Sequence, residues 1–170
     1  MAKLNRSNLT DNSAPVPRGL YTVLIQDVDP APSKSSGAEM LTLKCEIIKP
    51  QTVEAEGRNV TTAGRTFNVY LSFSEKAAAR TLTTLEKLLD KSLPDEVDTE
   101  DIKIDAVKTL KSKVFRAALR PEPQYETVDG RAGGVQVKDA NGQPIIRGYG
   151  ISVVSFESAA TEIGAPEVPY

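Results

Sequence analysis

The hydrophobic period changes abruptly part-way along the chain, and that switch restricts the fold more than any other feature. Over residues 39–48, Leu41, Leu43, Cys45 and Ile47 alternate with Met40, Thr42, Lys44 and Glu46. Over residues 66–73, Phe67, Val69, Leu71 and Phe73 alternate with Asn68, Tyr70 and Ser72. Alternation at every second position marks a strand with one buried and one solvated face. Directly afterwards Ala78, Leu82, Leu85 and Leu89 recur at three- and four-residue spacing, which predicts a helix over about 75–91 with its leucine stripe on the core. Ser74 is its expected N-cap, Glu75 sits where the helix dipole favours an anion, and Pro94 lies beyond its end.

The rest of the chain extends this β-rich pattern. LYTVLIQDV (20–28) is a β-branched apolar run and reads as a first strand, followed by the Pro/Ser-rich loop DPAPSKSSG with Lys34 at its tip. Residues 49–65 read as a Gly/Thr-rich connection carrying Arg58 and Arg65. Charge then separates sharply: residues 95–105 hold six acids and one lysine, a net of −5, whereas residues 108–120 hold five bases and no acid, a net of +5. The acidic part reads as a solvated loop. KSKVFRAALR (111–120) reads as a fourth strand stopped by Pro121 and Pro123. The turn dipeptides Asp129-Gly130 and Asn141-Gly142 then predict a hairpin leading to a last strand through GISVVSF.

Five major strands with one helix between the third and fourth match an OB-type barrel with an extra C-terminal hairpin, a mainly β fold. Other small barrels, and sandwiches with an inserted helix, share this string. The expected organisation is an N-terminal arm (1–17), one domain (18–156) and an acidic tail (157–170).

Composition removes several chemistries. With no His and a single Cys in 170 residues, there is no Ser-His-Asp triad, no histidine metal site, no intrachain disulfide and no paired-cysteine zinc site. Cys45, inside an alternating apolar run, is expected to be buried. No Walker A, G-x-S-x-G or dinucleotide-binding fingerprint occurs, so neither an enzyme nor a cofactor is expected. No apolar run reaches the roughly 20 residues of a membrane helix. The first 17 residues have no apolar core of the signal-peptide kind, so a cytoplasmic location is expected.

Net charge is −2, which leaves room for a local basic surface. Binding single strands without sequence preference needs cations along the phosphates and flat rings against the bases. Tyr70 on the polar face of its strand is a candidate platform, with Lys44 on the neighbouring strand. Arg116 and Arg120 would point outward together if Phe115, Ala117 and Leu119 face the core. Lys111 and Lys113 continue that line. Lys34 is placed on a loop, as are Arg58, Arg65, Arg131 and Lys138. Arg147 and Tyr149, two residues apart, would share a face.

The stretch 17–48 also resembles the start of a family of bacteriophage single-stranded-DNA-binding proteins of the OB type. The likeness rests on Pro17, Gly19 and Tyr21, then Ser33, Lys34, Ser35 and Gly37, then Met40, Leu41 and Leu43, and extends weakly to about residue 120. It implies a protein that coats and protects single-stranded DNA during replication or recombination in the cytoplasm of an infected bacterium. Glu167, Val168, Pro169 and Tyr170 are similar to the acidic, Pro-aromatic tips with which bacterial single-stranded-DNA-binding proteins recruit replication and repair partners. Tyr170 stands where Phe is usual. A homo-oligomer is compatible with the family. From the residues alone, a virion structural or assembly module built on a small β-barrel is the competing expectation.

Overall fold

The computed structural model describes residues 10–11, 14–130 and 134–159. In chain order its elements are β1 (Thr10–Asp11), β2 (Gly19–Asp29), β3 (Met40–Lys49), β4 (Thr52–Ala55), β5 (Arg58–Thr61), β6 (Thr66–Ser72), α1 (Ala78–Leu89), α2 (Thr99–Leu110), β7 (Val114–Tyr125) and β8 (Ile146–Ala159).

Alternation decides the main sheet. Leu41, Leu43, Cys45 and Ile47 of β3 are fully buried, as are Val23 and Ile25 of β2 and Phe115, Ala117 and Leu119 of β7. Phe67 and Leu71 of β6 complete the same face, and Phe156 of β8 meets Phe115 edge-on with ring centroids 6.2 Å apart. Leu85, Leu88 and Leu89 of α1 and Ile102, Ala106 and Leu110 of α2 cover this face. Burying each such Leu, Ile or Phe contributes about 1.5–3 kcal/mol, so the fold is held mainly by this layer.

The five strands form one antiparallel sheet in the order β6-β3-β2-β7-β8. Four successive antiparallel ladders leave β6 and β8 running in the same direction. No ladder joins these two edges, so hydrogen bonding does not close the sheet.

Several elements depart from the sequence reading. The acidic stretch 95–105 is not a loop: α2 begins inside it. Its Asp98 side chain caps the helix by accepting from the Glu100 N–H at 2.9 Å, and Glu100 and Asp101 occupy the first turn, where the dipole favours acids. Ile102, Ala106 and Leu110, four residues apart, supply its buried stripe. Among the described residues the mainly β fold therefore carries two helices and not one. α1 starts later than expected, and Ser74 is not its side-chain cap. The Ser74 carbonyl instead accepts from the N–H groups of Ala77 and Ala78 at 3.0 and 2.8 Å, while Ala77 is the N-cap without a side-chain bond.

Pro121 and Pro123 do not stop β7, which continues to Tyr125. Pairing with β2 ends at Gly19↔Leu119, so the edge of β7 beyond that point has no ladder to break. The connection 49–65 contains a hairpin, β4–β5. Glu56 and Gly57 turn it with φ of 52° and 76°, the pair of positive values that a type I′ turn requires.

The N-terminal segment packs further out than residue 18. Val16 is buried in the core, the Tyr21 hydroxyl donates to the Pro17 carbonyl at 2.6 Å, and the Arg65 guanidinium donates to the Ala14 carbonyl. β1 pairs parallel with β5. At the other end β8 runs to Ala159, so residues 157–159 are strand and not tail. The remainder of the expected tail lies outside the described residues.

Candidate nucleic-acid interface

The sheet face away from the helices carries Tyr70, Lys44, Arg116 and Arg120 of the expected binding residues, and the strand register fixes where each of these stands. Tyr70 of β6 lies opposite Thr42 of β3, which lies opposite Asp29 of β2. One row along, Asn68 faces Lys44, which faces Asp27. Two positions from Lys44 on the same strand and face is Glu46. Further on, Thr22 of β2 lies between Lys49 on β3 and Arg116 on β7.

Tyr70 and Arg116 therefore share a face but not a subsite. Three ladders separate their strands, at about 4.8 Å each, and their rows are offset along the sheet. The Tyr70 corner is electrostatically mixed, because Asp27, Asp29 and Glu46 surround Lys44. The Lys49–Thr22–Arg116 row is cationic. Among the described residues, Lys44, Lys49, Arg116 and Arg120 make no ion pair.

Tyr70 is the most exposed aromatic ring among the described residues, at 64%. Its hydroxyl accepts from the Asn68 side-chain amide at 3.3 Å, which steadies the ring without covering it. Arg120 is exposed and lies opposite Ser152. Arg116 is half-buried.

Other expected residues are placed differently. Lys111 and Lys113 are not on the strand: Lys111 is the C-cap of α2, with its ammonium 3.9 Å from Asp27, and Lys113 lies in the turn before β7. Lys34 is exposed in the tight turn between β2 and β3, where the Gly37 N–H donates to the Ser33 carbonyl at 2.8 Å. Arg65 ties down the N-terminal segment and is not a loop cation available to a ligand. The ladder slips between the Gln124↔Gly148 and Tyr125↔Ile146 pairs, so alternation no longer carries Arg147 onto the face of Tyr149. Tyr149 itself has the parity of the buried Leu119, on the face turned away from Arg120. Arg131 and the terminal Glu167, Val168, Pro169 and Tyr170 lie outside the described residues.

A groove of about 620 Å³ runs between the free edges of β6 and β8, a feature the sequence reading missed. Asn68, Tyr70 and Ser72 form one lip, Gln124 and Ser152 the other, and Arg80 of α1 stands at its margin. Gly150 is the one residue whose signal was available in the sequence. A Cβ there would lie 3.0 Å from the Gln124 Nε2, so the glycine lets Gln124 lie across β8 into the groove. The lining mixes hydroxyl and amide side chains with as many apolar or glycine positions, and Arg80 and Glu122 are its only charged side chains. Such walls donate and accept hydrogen bonds but do not attract phosphate strongly.

Cys45 is buried as expected, and burial pushes its thiol up to about 12, so it is protonated and inert at neutral pH. Among the described residues no group of three or more His, Cys, Asp or Glu side chains is arranged to hold a metal ion. No helix among them is long and apolar enough to cross a membrane. The chain matches no protein-family model, and no curated protein is detectably similar to it in sequence.

Proposed function

We propose that this chain is an OB-type single-stranded-DNA-binding protein, of the kind bacteriophages use in replication or recombination. It acts by coating strands without sequence preference, and it performs no catalysis. Tyr70 carries the reading: an open ring on the third main strand, beside an unpaired Lys44 on the second.

The topology supports it. An OB barrel is partly open, and it binds across its second and third strands and through the loops that join strands one to two and four to five. β2, β3, β6, β7 and β8 are the corresponding strands here, with α1 and α2 between the third and fourth and the gap between the third and fifth. Lys34 lies in the first of those loops, and Lys138 in the second. On this reading bases stack at Tyr70 and enter the groove, while Lys44, Lys49, Arg116 and Arg120 track the backbone.

The test is a gel shift of a fluorescent oligothymidylate across a salt series. With about 3–5 phosphate contacts, the slope of log affinity against log salt is roughly −2 to −3.5. Absence of a shift at micromolar protein and low salt rejects the reading. A virion assembly module remains the second reading, for one reason. Among the described residues, six of the eight exposed large hydrophobic side chains gather between positions 125 and 154.

A further inference from the structure

α1 borders the groove between β6 and β8, and its surface is divided by charge. Arg80, Thr81 and Thr84 line the groove. Thr81 is buried, and its hydroxyl donates to the Ser72 carbonyl at 2.6 Å, which holds Arg80 beside the end of the β6 lip. At about 100° per residue, Thr84 lies about 40° to one side of Arg80, the groove side. Lys87 lies about 20° to the other side, and Lys76, in the turn before the helix, about 40° to that side. Glu86, the one acid of α1, stands about 120° round, on the flank away from the groove. Its carboxylate accepts from the Leu93 N–H at 3.1 Å.

Lys76, Arg80 and Lys87 are exposed, and none of them makes an ion pair among the described residues. They form a row along the helix axis, with steps of about 6 and about 10.5 Å at 1.5 Å per residue. Helix stability does not call for this row. Lys87 suits the negative C-terminal end, but Arg80 stands in the first turn, where the dipole disfavours a cation and where α1 has no acid. α2 is built the opposite way, with Glu100 and Asp101 in its first turn.

We propose that a bound single strand leaves the groove over α1, with its phosphates on Arg80, Lys87 and Lys76. This path rests on the single-strand reading above and extends the site from the sheet onto a helix. The groove supplies the physical reason. Its lips offer the Tyr70 ring and uncharged polar groups to the bases, but Glu122 on the β7–β8 lip repels phosphate and Arg80 alone attracts it. A backbone whose bases enter the groove is therefore drawn to the α1 side, where the next cations are Lys87 and Lys76. Glu86, turned to the far flank, does not oppose it. A nucleic-acid strand fits this row better than an acidic peptide does, because the cations adjoin an open ring on which a base can stack.

Thiol protection tests the path directly. Cys45 is buried and protonated, so Thr83→Cys, at an exposed position beside the cation row, introduces the sole reactive thiol. Ile104→Cys, on the exposed face of α2, is the control. Alkylation by a neutral reagent is followed with and without a saturating oligothymidylate of about 15 nucleotides, inside the range of OB sites. Anisotropy of the same samples records binding. The expected result is that the strand slows alkylation of Thr83→Cys about fivefold or more, since reactivity follows thiolate access, and leaves Ile104→Cys unchanged. In parallel, Arg80→Gln/Lys87→Gln should lower the salt slope by about 1.4, at about 0.7 per lost phosphate contact, while Lys108→Gln on α2 leaves it unchanged. Thermal melts establish that each variant is folded. Tight binding with Thr83→Cys unprotected overturns the path over α1 and leaves the single-strand reading standing, as does an unchanged slope in Arg80→Gln/Lys87→Gln. A wild type that binds no oligothymidylate rejects both.

Discussion

Lys103, part-way along α2, holds its ammonium 3.3 Å from the Glu39 carboxylate just before β3 and 3.0 Å from Glu100 one turn back. The Thr99 hydroxyl donates to the other Glu39 oxygen at 2.9 Å, so α2 is fastened to a segment sixty residues away. The bonds from Thr99 and then Lys103 hold the Glu39 carboxyl below its ordinary value of 4.5. The same clamp, led by Glu100, raises Lys103 above 10.5. A carboxyl depressed in the fold contributes stability that is present above its unfolded pKa and lost as pH falls through the folded one. Asp105, lowered below 3.8 by its bonds from Lys91 and Thr109, adds in the same direction. Melting temperature should therefore decline as pH drops below about 4.5 and be level through neutrality. Glu39→Gln should flatten that acid limb, and thermal melts over a pH series read both effects. The Lys103 contribution has the opposite sign and is lost only above 10.5.

Tyr21 joins the core to the chain's N-terminal segment. It is 2% exposed, and burial pushes its phenol up to about 12. Tyr21→Phe removes the bond to the Pro17 carbonyl and should cost about 0.5–1.5 kcal/mol, read by denaturant unfolding. In an ultraviolet titration of the folded wild type, one tyrosine should ionise near 12 and should be missing from the variant. Between 10 and 12 the folded phenol stays neutral while the unfolded one ionises, so Tyr21 lowers stability as pH rises through that window.

The sequence was informative wherever period and burial agreed. The inward faces of β3 and β6 followed from spacing, because each element buries one side against a common layer; in α1 spacing located Leu85 and Leu89, whereas Thr81 and Leu88, and not Ala78 and Leu82, complete the buried stripe. α2 was hidden because six acids dominate its first half and its start, and charge density was weighed above the Ile102–Ala106–Leu110 stripe. β7 past Pro121 was hidden for a different reason. Proline halts a strand only where a neighbour needs its N–H, and the absence of β2 there is a property of the assembled sheet. At the site, alternation placed Tyr70 with Asn68 and Arg116 with Arg120, but it failed for Arg147 and Tyr149, where the β7–β8 ladder slips. The separation of Tyr70 from Arg116, the placement of carboxylates around Lys44 and the groove between β6 and β8 depend on register and sheet coiling, which no local pattern encodes.

Asp90 ends α1 in the left-handed conformation, with φ 53° and ψ 46°, and its carboxylate sits where the helix dipole is negative. Both features are unfavourable for an L-residue acid. Asp90→Gly should stabilise the protein by about 0.5–1 kcal/mol. That corresponds to a rise in melting temperature of about 1–4 °C for a domain of this size. Calorimetry would detect it, and an unchanged or lowered melting temperature would show that the carboxylate makes a compensating contact.

Tyr70 is the residue on which the proposed activity turns. Its ring is open to solvent and packs against little, so Tyr70→Ala should leave the melting temperature within about 2 °C of wild type, because exposed substitutions of this kind stay within about 0.5 kcal/mol. If a base stacks on it, the same change should weaken oligothymidylate binding by about 1–3 kcal/mol. Tyr70→Phe keeps the ring and loses only the 3.3 Å bond from Asn68, so it should retain most of the affinity. Lys44→Gln should act differently, reducing the salt slope by about 0.7 while affecting all sequences alike, since it removes one phosphate contact from a single strand. Fluorescence anisotropy at three salt concentrations separates the two effects. Wild-type affinity in Tyr70→Ala would remove stacking from the β6 lip and leave the Lys49–Thr22–Arg116 row as the remaining place where this sheet could hold a strand.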